Sequence, residues 1–185
     1  WNRQTLISFS SISITVLLSI GFSFAAVHLT NLSGAGTEDA FYLQNIPALK
    51  NLNLQGLLLA GIIIGTLGIL DDIVTAQVAI VEELSKLSYK LKWQDLFKRA
   101  MNVGREHIVS LVNTLVLAYI STAFPLMISL YMFQTEPWWI LVNREMIAQE
   151  IIRSLVGSLT LLIAVPITTI LATAVFTYLH NRPKE

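Results

Sequence analysis

Four apolar runs, each long enough to cross a bilayer, dictate what this chain can fold into. A span needs about 20 largely apolar residues. Residues 5–29, 108–133 and 154–179 contain no Lys, Arg, Asp or Glu, and residues 52–81 are interrupted only by Asp71 and Asp72. In hydrocarbon, every backbone N–H and C=O must be paired within the segment, which selects helices. The predicted fold is an all-α polytopic transmembrane helical bundle. It has four spans, about 5–29, 54–80, 108–133 and 152–179, with short amphipathic interfacial helices. The alternative is a very apolar soluble bundle, and composition weighs against it. The 185 residues are 54% hydrophobic and 13% charged, too few charges to coat a water-facing surface.

The first run exceeds the h-region of a signal peptide, and no Ala-x-Ala-like site follows it. The chain opens on Trp1 rather than Met, so a fragment of a longer chain is expected, as a single transmembrane domain. Lys+Arg and Asp+Glu both number 12, a balance that argues against a nucleic-acid partner. With no Cys there is no disulfide, thiol nucleophile or Cys-based metal site. His28, His107 and His180 are too widely spaced for a zinc motif. No phosphate loop, nucleophile elbow or His-Glu-x-x-His helix occurs. The expectation is a protein that is not an enzyme, with no catalytic residue, no metal and no cofactor.

Orientation is read from Lys and Arg in the short connections. Arg3, the loop 82–107 (Lys86, Lys90, Lys92, Lys98, Arg99, Arg105) and the tail (Arg182, Lys184) hold nine of them, against Lys50, Arg144 and Arg153 on the other side. Both termini of the segment and the 82–107 loop are therefore expected to be cytoplasmic. Glu38, Asp39, Glu136, Glu145 and Glu150 fall on the outer side. The 82–107 loop reads as a continuation of the second span followed by a short amphipathic piece at 93–101. Thr135-Glu136-Pro137 is a plausible helix start, and Trp138 and Trp139 suit a membrane–water boundary.

The second span carries the most informative pattern. At 100° per residue Gly61, Gly65, Gly68, Asp72, Thr75 and Ala79 share one narrow stripe, with Asp71 to one side. Gly61-x-x-x-Gly65 permits close approach of another helix, and Gly61, Gly65 and Gly68 are the helix-packing candidates. A carboxylate facing lipid is costly, so Asp72 is expected to face the bundle interior or water. Burial and mutual repulsion would let the pair hold a proton or cation near neutral pH. Equally, a 30-residue run exceeds one span. With the membrane over about 54–73 the acids are wet at the boundary, and over about 58–77 they lie inside it.

In the third span His107, Ser110, Thr114, Ala118, Ser121 and Pro125 share a face, with Asn113 beside it. Ordinary packing by small polar residues explains the stripe. The functional alternative has His107, Ser110 or Asn113 hydrogen-bonding the Asp pair, so Asp71, Asp72, Asn113 and His107 are the relay candidates. Pro125 and Pro166 lie inside spans, where each removes a backbone donor.

Three stretches carry a resemblance: Gly65-Thr-Leu-Gly-Ile-Leu-Asp-Asp-Ile-Val-Thr-Ala-Gln-Val-Ala-Ile-Val-Glu-Glu-Leu84, the stretch 96–119 from Leu-Phe-Lys-Arg-Ala-Met to Leu-Ala-Tyr, and the stretch 150–169 from Glu-Ile-Ile-Arg to Pro-Ile-Thr-Thr. Together they resemble the YibE/F-like family of bacterial membrane proteins, over the chain from about residue 56 onward. The resemblance implies a bacterial inner-membrane location and the C-terminal part of a longer chain. It assigns no reaction. A Gly-rich helix ending in Asp-Asp, followed by Glu-Glu-Leu, is more distantly similar to one half of an RND or SecD/SecF-type protein. That similarity implies a proton relay at Asp71 and Asp72, although the runs contain no Lys as counter-charge.

Two functions follow. In one, the chain is a proton- or cation-coupled transporter or exporter component using the Asp pair. In the other, it is a structural or assembly membrane protein whose acids are interfacial and whose Gly stripe packs helices. Expected partners are the lipid bilayer and either upstream helices of the same protein or a second subunit. A membrane-embedded enzyme is disfavoured because the other runs hold no second Asp or Glu.

Overall fold

The computed structural model describes residues 3–87, 92–132 and 137–180. Lys90, Arg182, Lys184 and the Thr135-Glu136 pair lie outside them. Six α-helices follow one another among the described residues: α1 (Arg3–Leu29), α2 (Glu38–Asn45), α3 (Leu54–Lys86), α4 (Trp93–Met132), α5 (Trp138–Val142) and α6 (Glu145–His180). A 3-10 turn at Pro47–Leu49 links α2 to α3. Four helices, α1, α3, α4 and α6, are long and apolar enough to cross a membrane, and α2 and α5 are short connectors.

Local chemistry sets the helix ends. Asn31 takes a left-handed φ of 51° just after α1. The amide of Leu32 then donates to Val27 O at 3.2 Å and that of Asn31 to His28 O at 3.3 Å. This is the Schellman closure that Asn tolerates better than most residues. Thr37 caps α2 by accepting from the Ala40 amide, and Asn53 caps α3 by accepting from the Gly56 amide. Pro137 stands at the N-cap of α5, one residue before the helix.

The helix α1 packs with its polarity inverted relative to a helix of a water-soluble bundle, whereas α3 buries a mainly apolar face. On α1 the buried face is Ser8, Ser11, Thr15, Ser19 and Ser23, while Leu6, Phe9, Leu17 and Phe24 point outward. On α6 the buried residues include Thr160, Ala164, Thr168 and Ala172, spaced four apart. Small side chains let backbones approach closely in a membrane, and hydroxyls bond back into their own helix, as Thr15 does to Ser11 O and Ser23 to Ser19 O. One core joins α1, α3, α4 and α6 around Leu70, Ile73, Val74, Leu96, Ala100, Leu115, Leu161 and Val165. A second, at the other end, joins α1, α3 and α6 around Val27, Leu32, Leu58, Ile62 and Val156, without α4.

Two boundaries differ from those expected. The amphipathic piece at 93–101 and the span at 108–133 form one helix, α4, because Leu96, Ala100, Gly104, Ile108 and Leu115 continue a single buried face across the junction. Gly104 is there because a Cβ would come within 2.6 Å of Val165 Cγ1 and 2.9 Å of Gln77 Oε1. Likewise α6 begins at Glu145, not near 152, so Glu150 stands on the same helix as Arg153 instead of ahead of it.

Candidate functional site

The chain's ends of helix sort into two sets. At one end Gln4 of α1 hydrogen-bonds Glu82 of α3, and Lys86 pairs with Glu82 at 3.2 Å and Glu83 at 2.7 Å. Phe176 and Leu179 of α6 line the same depression. At the opposite end the Glu145 carboxylate accepts from the amides of Ser33 (2.8 Å) and Gly34 (2.6 Å), the Ser33 hydroxyl (2.8 Å) and Gln149 Nε2 (3.1 Å). Gly34 has φ 82°, and a Cβ on it would come within 2.3 Å of Leu54 O, so this crossing of the α1–α2 loop over α3 requires glycine.

Asp71 and Asp72 lie at the middle of α3, and about 15 Å of helix without charge separates Asp72 from Glu82. Both acids are exposed on the outward face of the bundle. Gly61, Gly65 and Gly68 share that face: a Cβ on Gly61 or Gly68 would meet nothing within 4 Å, and one on Gly65 would meet only Tyr119 Oη at 3.9 Å. The stripe is thus real as a helical face, but the helix it would pack is not one of the described segments. The face that α3 buries is the opposite one, through Ile62, Thr66, Leu70, Ile73, Gln77 and Val81.

The two acids have different surroundings. Asp71 lines a groove of about 330 Å³ between α1 and α3, with Gln4, Thr5, Ser8, Thr75 and Ala79. Asp72 does not line it. Thr75 Oγ1 donates to the backbone carbonyls of Asp71 (2.7 Å) and Asp72 (3.2 Å). His107 is half-buried and Asn113 exposed on α4. Among the described residues no hydrogen bond links His107, Ser110 or Asn113 to either carboxylate, so the structure does not bring the four relay candidates together.

Two polar sites escaped the sequence pattern. Gln77 is fully buried where α3, α4 and α6 meet, and a lone amide inside an apolar run was its only signal. Glu150 and Arg153 form an ion pair on α6 at 2.9 Å, facing Tyr119 and Thr122 of α4. Their i, i+3 spacing becomes visible only once α6 is extended back to Glu145.

No curated protein and no solved structure matches the chain. The profile of the YibE/F-like protein family matches residues 1–178, across all four long helices. By that match, and with the spans placed as above, the chain belongs to the YibE/F-like family of proteins and has the fold of a helical membrane protein.

Proposed function

We propose that this YibE/F-like protein is a non-enzymatic component of a proton- or cation-coupled transporter in the bacterial inner membrane, with both ends of the segment cytoplasmic. The observation that carries this reading is the position of Asp71 and Asp72. They stand at the middle of an apolar 33-residue helix, on its outward face, beside three glycines. A carboxylate left against lipid is costly, so this face is wetted or covered by another helix, from upstream in the same protein or from a second subunit. The groove at Asp71 adds the hydroxyls of Thr5, Ser8 and Thr75, oxygen donors suited to a hydrated proton or a hard cation. Asp71 is therefore the leading relay residue and Asp72 the one that meets the covering helix. The likeness to an RND or SecD/SecF-type half supports the reading by analogy alone.

A second reading, a structural or assembly role, is favoured by the open space around Gly61 and Gly68, which suits close approach of a helix. Isotope-edited infrared spectroscopy of the aspartate carboxyls in liposomes separates the two. A protonated-acid band that persists near neutral pH and disappears in Asp71→Asn supports the relay. Titration near the unperturbed value of about 4 puts both acids in water and leaves the assembly role.

A further inference from the structure

The contacts between helices set their levels along the bundle. Gln77 of α3 bonds Ala100 of α4, and Gly65 of α3 approaches Tyr119 of α4, so the two helices run antiparallel. Asp72 stands five residues from Gln77 and Arg105 five from Ala100, in the same direction and about 7.5 Å each. The helix α1 is also antiparallel to α3, since Gln4 bonds Glu82 and Gln55 Nε2 donates to Leu32 O. Ten residues lead from Glu82 to Asp72 and ten from Gln4 to Ile14. On α6, Val165 faces Gly104 and Gly157 faces Leu115. Asp72, Arg105 and Glu106 are therefore level with Ile14 and Val165. Residues 5–13 and 15–29 of α1, and 154–164 and 166–179 of α6, include no Lys, Arg, Asp or Glu. That is about 13 Å or more of uncharged helix in either direction, which puts this level inside the hydrocarbon.

At this depth α1 and α6 expose Ile14, Leu17, Leu162 and Ile170, whereas α4 exposes Lys98, Arg99, Asn102, Arg105 and Glu106. At 100° per residue these five fall within about 120° of arc, opposite Leu96, Ala100 and Gly104. Among the described residues none of the five side chains has a hydrogen bond or an ion pair. Acyl chains are a costly neighbour for such a face. Long Lys and Arg side chains snorkel away from them, but Asn102 and Glu106 are too short to do so. A dry helix would have to pair three cations and an acid one by one to offset their desolvation. Water satisfies all of them.

We propose that this face of α4 lines a water-filled inlet, open at the cytoplasmic end of the bundle and reaching the level of Asp72. The inference rests on the relay and the orientation proposed above, and it gives that relay a supply side, since water carries protons in from the cytoplasm. The stretch 98–106 is then cytoplasmic in its solvent but membranous in its depth.

The test places single cysteines at similar depth in the full-length protein: Glu106→Cys and Asn102→Cys on α4, against Ile14→Cys and Ile170→Cys. A charged, membrane-impermeant thiosulfonate is added to inside-out and to right-side-out membrane vesicles, and modification is followed by mass. Hydrocarbon suppresses the thiolate that reacts, so from the cytoplasmic side the α4 pair should react about a hundredfold faster than the other two. Asn102→Cys removes no charge and stands in if Glu106→Cys fails to insert. Equal reactivity of all four would mean that the cytoplasmic half of the bundle stands in water, and would overturn the inlet. So would an α4 pair unreactive from both sides, the sign of a dry contact with another helix, or one reactive from the outside alone. Labelling moves no proton, so the inlet and the relay fail separately. A persistent protonated-acid band with an unreactive α4 pair removes the inlet and keeps the relay. A reactive pair with acids titrating at about 4 keeps the inlet and removes the relay.

Discussion

Gln77 Nε2 lies 2.8 Å from Thr169 Oγ1, and the same nitrogen donates to Ala100 O at 3.1 Å, so one amide ties α3 to both α4 and α6. Neither acceptor depends on it. Thr169 Oγ1 donates to Val165 O, Ala100 lies within α4, and Gln77 Oε1 is itself buried without a partner. Gln77→Leu therefore removes an unsatisfied acceptor along with two bonds that average about 0.6 kcal/mol each in membrane proteins. It should change stability by less than about 1 kcal/mol. Gln77→Ala leaves a cavity and should cost about 2 kcal/mol. Unfolding in mixed micelles, followed by circular dichroism, ranks the two.

Gly104 faces this junction from α4. Gly104→Ala puts a methyl against Val165 Cγ1 and the Gln77 amide, and overpacking of this kind costs about 1–3 kcal/mol. The same unfolding measurement on Gly104→Ala combined with Gln77→Ala should show part of that cost recovered, since the second change vacates the space. Strict additivity of the two losses would mean that Gly104 does not sense Gln77.

The Glu145 carboxylate holds the loop after α1 through the amides of Ser33 and Gly34. Glu145→Gln keeps the size but replaces charge-assisted bonds with weaker neutral ones. Hydrogen exchange at those two amides should accelerate by about tenfold, with the amides of α3 and α6 unchanged. Uniform acceleration across the bundle would instead make Glu145 a global stabiliser.

The chain has no Cys, so single cysteines report topology without background. Asp39→Cys and Trp138→Cys sit in the set of connections that includes the Glu145 clamp, and Lys86→Cys and Lys98→Cys in the set that includes the Gln4–Glu82 contact. In intact cells an impermeant maleimide should label the first two and spare the second two, the pattern that positive-inside charge requires. The reverse pattern would invert the proposed orientation.

Gly61→Leu tests whether the outward face of α3 is covered. Among the described residues nothing lies within 4 Å of a Cβ at Gly61, so the bundle's own stability should shift by less than about 0.5 kcal/mol. A close helical neighbour would be displaced, and the mass of the detergent-solubilised assembly should fall. An unchanged mass would remove this face from any interface with a second subunit.

The four spans were legible because hydrocarbon imposes one demand, an uncharged run of sufficient length, and residues 5–29 or 154–179 meet it without ambiguity. What the runs concealed was which face turns inward. In water, apolar periodicity marks the core. In lipid the surroundings are as apolar as the core, so Leu17 and Phe24 point out while Ser11 and Ser19 point in, and no hydrophobic stripe records the difference. The glycines of α3 looked like the packing surface for the same reason. The stripes that pack within this chain are the Ser/Thr ladder of α1 and the Thr/Ala ladder of α6. At the acids, the sequence showed the pair but not that Asp71 shares a groove with α1 while His107 and Asn113 are not bonded to it. The Glu150–Arg153 pair was hidden by a boundary: with the span begun near 152, Glu150 fell outside the helix that carries Arg153.

The attachment of α4 is uneven along its length. Among the described residues its buried side chains end at Leu115 and Tyr119 is half-buried, whereas Ile120, Phe124, Met127, Ile128, Tyr131 and Met132 are exposed. A 40-residue helix packed through Leu115 and half-held at Tyr119 carries its last turns as a lever. The arm from Tyr119 to Met132 is about 20 Å, so a rotation of about 5° where the packing ends carries the tip about 2 Å. The junction at Gln77, behind that pivot, would barely register such a swing, while the apolar gap that Ile120 and Met127 share with Val142 and Ile151 would open or shut. What fills that gap thereby sets the angle of the arm.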